Sequence, residues 1–241
     1  MNPMPTRRES RFALALHIAA ALWFAASQAA SAADYVDLRA IEPIRGDAAA
    51  GAAKATVCYA CHGPNGNAIV PTFPRLAGQR ADYLYHRLLE YKHADAKDPY
   101  YAASPMLAQV AALSDADMRN LAAYFAAQAP TVSPGASAGA GGEGERLFLE
   151  GDSSRGIPPC QGCHGADANG PAEPTAQYAA YPALRGQHAP YLVARLGNYR
   201  GGLPHYSSND FIMHGVARTL DDASIQAVAA WLASLPPLPA H

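Results

Sequence analysis

Apolar residues in this 241-residue chain recur at helical spacing, and no segment has the regular alternation of a half-buried strand. The pattern predicts helices in two matching sets. Residues 46–58 and 142–150 form the first helix of each set, and residues 81–92 and 189–198 form the middle helix. We therefore predict an all-α fold.

The closing helix of each set has the clearest boundaries. Ser114 and Asp221 precede the two apolar runs and are good N-cap residues. Pro130 and Pro236 follow the runs and end the helices, because proline cannot continue the hydrogen-bond pattern.

The chain is a tandem duplication. The pattern P-x-L-x-G-Q-x-x-x-Y-L begins at Pro74 and returns at Pro182, and the closing helices align without a gap from Met106 and Met213 onward. We place one domain at residues 34–133 and the other at 142–241. Residues 134–141, rich in Gly, Ala and Ser, form the linker.

Residues 1–33 have the composition of a signal peptide. Three arginines precede an apolar run from Phe12 to Ala26, and small residues suited to cleavage follow. This run of about 15 residues is shorter than the roughly 20 apolar residues that span a membrane. We therefore predict cleavage and export to the periplasm rather than an uncleaved anchor. We expect no membrane span after cleavage. The formal charge is only −2, which argues against a nucleic-acid partner.

All four cysteines lie in two C-x-x-C-H motifs, which are typical of c-type haem attachment. In each motif, two cysteines three residues apart can bond the two vinyl groups of one haem, and the next residue is the proximal iron ligand. The residues are Cys58, Cys61 and His62 in the first motif, and Cys160, Cys163 and His164 in the second. We predict two covalently bound haem c groups.

Three other uses of the cysteines are open to an exported protein. Disulfides persist outside the cytoplasm, so four cysteines could form two bridges, but all four lie in the C-x-x-C-H motifs and none is spare. A zinc site needs four ligands in one place, and a thioredoxin-like pair needs a βαβ setting that the pattern does not predict. Two complete motifs with no other cysteine in the chain favour haem.

Two methionines are candidates for the second axial ligand. Met106 and Met213 each stand seven residues before the leucine that precedes the closing helix, in stretches that look like loops. A thioether sulfur favours ferrous iron and raises the reduction potential. Met118 corresponds to Ile225 in the second set, so we predict that it is a buried packing residue.

Histidines are the competing candidates for that ligand. The remaining histidines are His86, His93, His188, His205 and His214. No two of them occupy equivalent positions in the two copies, so surface or hydrogen-bonding roles are favoured. A proximal histidine needs an acceptor for its other ring nitrogen, and the carbonyls of Pro74 and Pro182 can supply it.

Together these motifs resemble the cytochrome c4 family of dihaem cytochromes. The resemblance covers residues 34–238 and implies two class I cytochrome c domains related by pseudo-twofold symmetry. It also implies that Tyr124 and Trp231 lie where the first and last helices of each domain cross. One departure is the longer, proline-richer approach to Cys160.

Iron with six ligands has no vacant site for a substrate, so we expect an electron carrier rather than an enzyme. The resemblance implies a monomeric shuttle between a quinol-oxidising complex and a haem-copper terminal oxidase. One alternative is the dihaem subunit of a periplasmic dehydrogenase that oxidises sulfide or an alcohol. Another is a haem enzyme such as a peroxidase or a thiosulfate dehydrogenase.

Overall fold

The computed structural model describes residues 36–132, 142–171, 175–202 and 206–238. The predicted signal peptide (residues 1–33), the predicted linker (residues 134–141) and His205 lie outside the described residues. From Asp37 onward the described residues belong to one compact unit. We call residues 37–132 the first repeat and residues 142–238 the second repeat.

Helices account for the secondary structure of both repeats. The helices of the first repeat are α1 (Ala48–Ala55), α2 (Tyr59–His62), α3 (Ala81–His93), α4 (Pro99–Ala102), α5 (Met106–Val110) and α6 (Asp115–Ala126). Those of the second are α7 (Glu143–Glu150), α8 (Gln161–His164), α9 (Ala189–Gly201), α10 (Ser208–Ala217) and α11 (Asp222–Ser234). The described residues form no strand longer than an isolated bridge, such as that between Asp152 and Ile157, and the predicted all-α fold is confirmed.

Side-chain caps determine where the predicted helices begin. The Asp47 side chain accepts hydrogen bonds from the N–H groups of Ala49 and Ala50, so α1 starts at Ala48 rather than at residue 46. Ser114 forms a capping box with Asp117 at the start of α6. Asp221 accepts from the N–H of Ser224 at the start of α11. Both predicted caps of the closing helices are confirmed.

A glycine allows the first and closing helices of each repeat to cross at short distance. A Cβ on Gly51 would lie 2.8 Å from Cβ of Tyr124, and a Cβ on Gly144 would lie 2.8 Å from Cβ of Trp231. Each added Cβ would also collide with a backbone carbonyl of the closing helix. The predicted position of the two aromatic residues at the crossings is confirmed.

Each repeat has its own apolar core. In the first repeat α3 also packs on α6, and the cluster includes Met118, which is only 1% exposed. In the second, α9 packs on α11 and the cluster includes Phe148 and Ile225. The prediction that Met118 is a packing residue is confirmed.

The two methionines predicted in loops lie on helices instead. Met106 is the first residue of α5, and Met213 lies within α10. A capping box between Ser207 and Asp210 starts α10, and its serine and aspartate three residues apart are a helix-start signal in the sequence.

The longer approach to the second C-x-x-C-H motif is folded back on itself. Asp152 and Ile157 exchange backbone hydrogen bonds of 2.8 and 2.9 Å, and Gly151 adopts a φ of 70° just before the turn. Ile157 is 2% exposed and joins the core of the second repeat. The extra residues therefore enlarge that core.

No helix in the described part of the chain is long and apolar enough to cross a membrane.

Candidate haem sites

Each C-x-x-C-H motif forms a single helical turn. Cys58 ends a 3₁₀ turn that leads into α2, and Cys61 and His62 lie within α2. Cys160 is the N-cap of α8, which contains Cys163 and His164. Residues three apart on a helix share one face, so the two sulfurs of each motif are placed on the same side. Gly63 and Gly165, with φ values of 74° and 73°, then turn the chain away.

The histidine of each motif is buried, and its Nδ1 is held by a proline carbonyl. Nδ1–H of His62 donates to Pro74 O at 2.9 Å, and Nδ1–H of His164 donates to Pro182 O at 3.0 Å. Both hydrogen bonds confirm the predicted acceptors. Because Nδ1 carries the proton, Nε2 is the nitrogen with a lone pair for a metal.

Burial also keeps the two imidazoles neutral. Desolvation lowers the pKa of His62 and of His164, and the hydrogen bond to the proline carbonyl only partly opposes that effect. A neutral imidazole is the form that binds iron. An aromatic ring lies beside each histidine at matching positions, Phe73 at 6.2 Å from His62 and Tyr181 at 6.3 Å from His164, measured between ring centroids.

The four cysteines form no disulfide and are partly buried beside the cores. Cys58 and Cys160 pack against the apolar clusters of their repeats, and burial raises the pKa of the Cys160 thiol to about 11. These unpaired thiols, each pair next to a buried histidine with Nε2 available, fit a covalently attached haem in both repeats.

Met106 and Met213 are half-buried, and each lies on a helix that packs against the middle helix of its repeat. Helix α5 packs against α3 in the first repeat, and α10 packs against α9 in the second. The middle helix of each repeat thus supports the segment that carries the methionine.

The other described histidines differ from one another. His188 Nε2–H donates to Ala68 O at 2.9 Å, and His214 Nδ1–H donates to Tyr199 O at 2.7 Å. His93 is exposed. His86 is buried, and its Nδ1 has no hydrogen-bond partner among the described residues. These settings agree with the predicted surface and hydrogen-bonding roles except at His86, which is a core residue.

Charged side chains from both repeats form a buried cluster between them. Arg87 pairs with Glu90 and lies 3.9 Å from the Asp210 carboxylate of the second repeat. Arg195 of the second repeat donates to the Tyr100 hydroxyl of the first. Burial, and next the Glu90 carboxylate, raises the pKa of Asp210. Two guanidinium groups and two carboxyl groups offset one another there.

Sequence reasoning gave no role to two glutamines that join the repeats. The Gln79 side chain binds the backbone of Ala183, and the Gln187 side chain binds the backbone of Arg75. Both glutamines are part of the repeated G-Q pattern, so their recurrence in the sequence was the available signal.

Comparison with known proteins places the chain in a family. The Cytochrome c family model matches residues 48–128 and 143–236. Cytochrome c4 of Pseudomonas aeruginosa is 40% identical over 79% of this chain and 89% of its own length. The crystal structure of reduced recombinant cytochrome c4 from Pseudomonas stutzeri superposes with a TM-score of 0.67 at 36% identity, covering 79% of this chain and all of that one.

A relative whose name gives a different role is the thiosulfate dehydrogenase electron acceptor of Thiomonas intermedia, which is 36% identical over 78% of this chain and 82% of its own length. The two haem attachment motifs, the duplicated helical fold and these similarities agree. The chain belongs to the cytochrome c4 family of dihaem c-type electron carriers, with one covalent haem c attached to Cys58 and Cys61 and a second to Cys160 and Cys163.

Proposed function

We propose that a histidine and a methionine are the axial ligands of each iron: His62 with Met106 in the first repeat, and His164 with Met213 in the second. The observation that carries this proposal is the matched pair of buried histidines whose Nδ1 is held by a proline carbonyl. The methionines add support because they occupy equivalent sequence positions on helices that pack on the middle helices. Haem iron with both ligands would accept and release single electrons without binding a substrate.

The chain's own residues then have defined tasks. The proline carbonyls orient the imidazole rings and keep the proton on Nδ1, which makes Nε2 the donor to iron. The apolar clusters beside Cys58 and Cys160 exclude water from one side of each site. A low-dielectric surrounding of this kind raises the reduction potential of an iron centre.

In the cell, the protein would be exported to the periplasm and act as a monomeric electron shuttle. It would receive electrons from a quinol-oxidising complex and pass them to a haem-copper terminal oxidase. Support for this route comes from the similarity to cytochrome c4 proteins over about four fifths of the chain.

A second route has support from a specific relative. The protein would accept electrons from a periplasmic dehydrogenase, because the relative from Thiomonas intermedia is named as the electron acceptor of a thiosulfate dehydrogenase. A dihaem subunit of a sulfide or alcohol dehydrogenase belongs to the same class. Copurification from the native periplasm separates a dehydrogenase subunit from a free carrier, since a subunit stays bound to its enzyme and a shuttle does not.

Substitution of each methionine tests the ligand assignment. Met106→Ala and Met213→Ala should each leave one ferrous haem able to bind carbon monoxide, because removing the sulfur opens one coordination position. Each variant should also lower one of the two reduction potentials. Carbon monoxide difference spectra and redox titration of the purified dihaem protein provide the measurements.

Met118→Leu is the matched control, since Met118 is a buried methionine of the core. A volume-conserving exchange there should leave both haems unable to bind carbon monoxide. If Met118→Leu opened a haem, or if Met106→Ala and Met213→Ala did not, the ligand assignment would be wrong.

A further inference from the structure

Two glutamine side chains cross between the repeats at equivalent positions. Gln79 Oε1 accepts from the N–H of Ala183 at 2.8 Å, and Gln79 Nε2 donates to the carbonyl of Ala183 at 2.8 Å. Gln187 binds Arg75 in the same way, with distances of 2.9 and 3.0 Å. Both glutamines are 7% exposed, so each amide is desolvated, and the two-bond pairing engages its oxygen and one of its N–H groups.

Each pairing reaches a peptide group that already holds a buried histidine. The peptide between Pro74 and Arg75 accepts from His62 Nδ1–H through its oxygen and donates to Gln187 Oε1 through its N–H. The peptide between Pro182 and Ala183 accepts from His164 and donates to Gln79 in the same manner. The result in each repeat is an unbroken chain from glutamine to peptide to imidazole.

Hydrogen bonds in such a chain strengthen one another. An acceptor on the peptide N–H polarises the peptide and makes its carbonyl oxygen a better acceptor. A better acceptor on Nδ1–H makes Nε2 a stronger electron donor to a metal. The glutamine of one repeat is therefore electronically connected to the histidine of the other.

The orientation of the two amides is determined by further contacts. Gln79 Oε1 also accepts from the N–H of Arg80 at 2.9 Å, and Gln187 Oε1 also accepts from the N–H of His188 at 3.0 Å. Flipping either amide would place its NH₂ group against two N–H donors. The adjacent side chains cross as well, since Arg80 Nε–H donates to Ala179 O at 3.2 Å and His188 Nε2–H donates to Ala68 O at 2.9 Å.

From this arrangement we propose that Gln79 and Gln187 are reciprocal positioning residues: each sets the donor strength of the proximal histidine, and thus the reduction potential of the haem, in the opposite repeat. The inference rests on the proposed ligation of iron by His62 and His164. Its consequence is that contact between the repeats is part of how each haem is tuned.

The test uses the full-length dihaem protein labelled with ¹⁵N-histidine and fully reduced. Gln79→Met keeps the length of the side chain but removes both hydrogen bonds to Ala183 and the one from the N–H of Arg80. It should shift the ring N–H resonance of His164 and speed its hydrogen exchange about fivefold to tenfold, with the His62 resonance unchanged. Gln187→Met should do the reverse. In redox titrations each variant should raise one potential, because a weaker donor stabilises ferric iron less.

Two further variants separate tuning from general loosening. Gln79→Glu keeps an acceptor for the Ala183 N–H and should restore slow exchange at His164. Gln128→Met is the matched control, because Gln128 donates to Tyr124 O at 2.9 Å within its own repeat, and it should move neither histidine. Equal changes at both histidines, or changes confined to the repeat that carries the substitution, would overturn the proposal. A wild-type spectrum in which a ring N–H lacks the shift caused by an adjacent haem would instead refute the histidine ligation itself.

Discussion

In the first repeat, Ala55 on α1 and Phe125 on α6 belong to one core cluster. In the second, Phe148 on α7 and Leu232 on α11 take the matching positions. The large ring has thus moved from the closing helix to the first helix, and the second pair is larger by the three carbon atoms that separate leucine from alanine. The matching glycines at the helix crossings are retained. The close backbone crossing is therefore the constant feature, while the side chains that pack beside it differ between the repeats.

Polar contacts differ between the repeats as well. The Tyr124 hydroxyl donates to Asn65 Oδ1 at 2.9 Å and contacts the Tyr59 hydroxyl. Trp231, at the matching position, has a buried indole N–H with no partner among the described residues. The first repeat therefore stabilises its crossing with hydrogen bonds, and the second relies on apolar contact such as that between Phe148 and Trp231, whose ring centroids are 4.9 Å apart.

The largest expected effect comes from the core exchange. Phe148→Ala should lower the free energy of unfolding by about 3–5 kcal/mol, because the ring is fully buried and its removal leaves a cavity. Ala55→Phe alone should cost about 1–3 kcal/mol by overpacking. Chemical denaturation of the dihaem protein, followed by circular dichroism, measures both.

A double variant tests whether the two positions fill one space. If the two cores are alternative fillings of one crossing, Ala55→Phe combined with Phe125→Leu should cost less than the sum of the single changes by about 0.5 kcal/mol or more. Strict additivity would mean that the two positions do not share space.

The next effect concerns acid stability of the first repeat. Burial, and secondarily the positive charge of Arg119, lowers the pKa of His86 to about 4, against 6.5 for an exposed histidine. Between those pH values the unfolded chain binds a proton that the folded chain does not, so stability falls as pH decreases from about 6.5 to 4. At about 1.4 kcal/mol per unit of pKa difference, the full loss from this residue is about 3 kcal/mol.

His86→Gln should flatten that pH dependence, because glutamine does not titrate. The second repeat has Ala194 at the matching position, so Ala194→Gln is the control and should leave the slope unchanged. Denaturation midpoints measured across this pH range would give the pH dependence of stability for both variants. An unchanged slope in His86→Gln would assign the acid sensitivity to other groups, such as His188, whose pKa burial also lowers.

The smallest effect concerns the tyrosine hydroxyl groups at the helix crossing of the first repeat. Tyr124→Phe should lower stability by about 0.5–1.5 kcal/mol, because it removes a hydrogen bond to Asn65 from a partly buried group of three polar side chains. Tyr59→Phe should have an effect of the same size. Because the two hydroxyls contact each other, the double variant should cost less than the sum, and a double-mutant cycle measures the difference.

Much of this molecule could be predicted from the sequence because local patterns decide it. The C-x-x-C-H motifs specify the covalent chemistry through residue type and spacing alone. Ser114 and Asp221 start the closing helices because a side-chain oxygen can accept from N–H groups two or three residues further on, which is a local interaction. The duplication itself allowed each prediction for one repeat to be checked against the other.

Only the tertiary structure decided which groups meet across the repeats. Gln79 and Ala183 are 104 residues apart, and Gln187 and Arg75 are 112 apart, so no spacing rule relates them. Met106 and Met213 lie on helices because packing on α3 and α9 outweighs the weak local pattern of their segments. The buried group formed by Arg87, Glu90, Asp210 and Arg195 likewise depends on the packing of one repeat against the other. The sequence determines hydrogen bonds between residues that are close along the chain, whereas partners far apart in sequence depend on how two folded surfaces fit together.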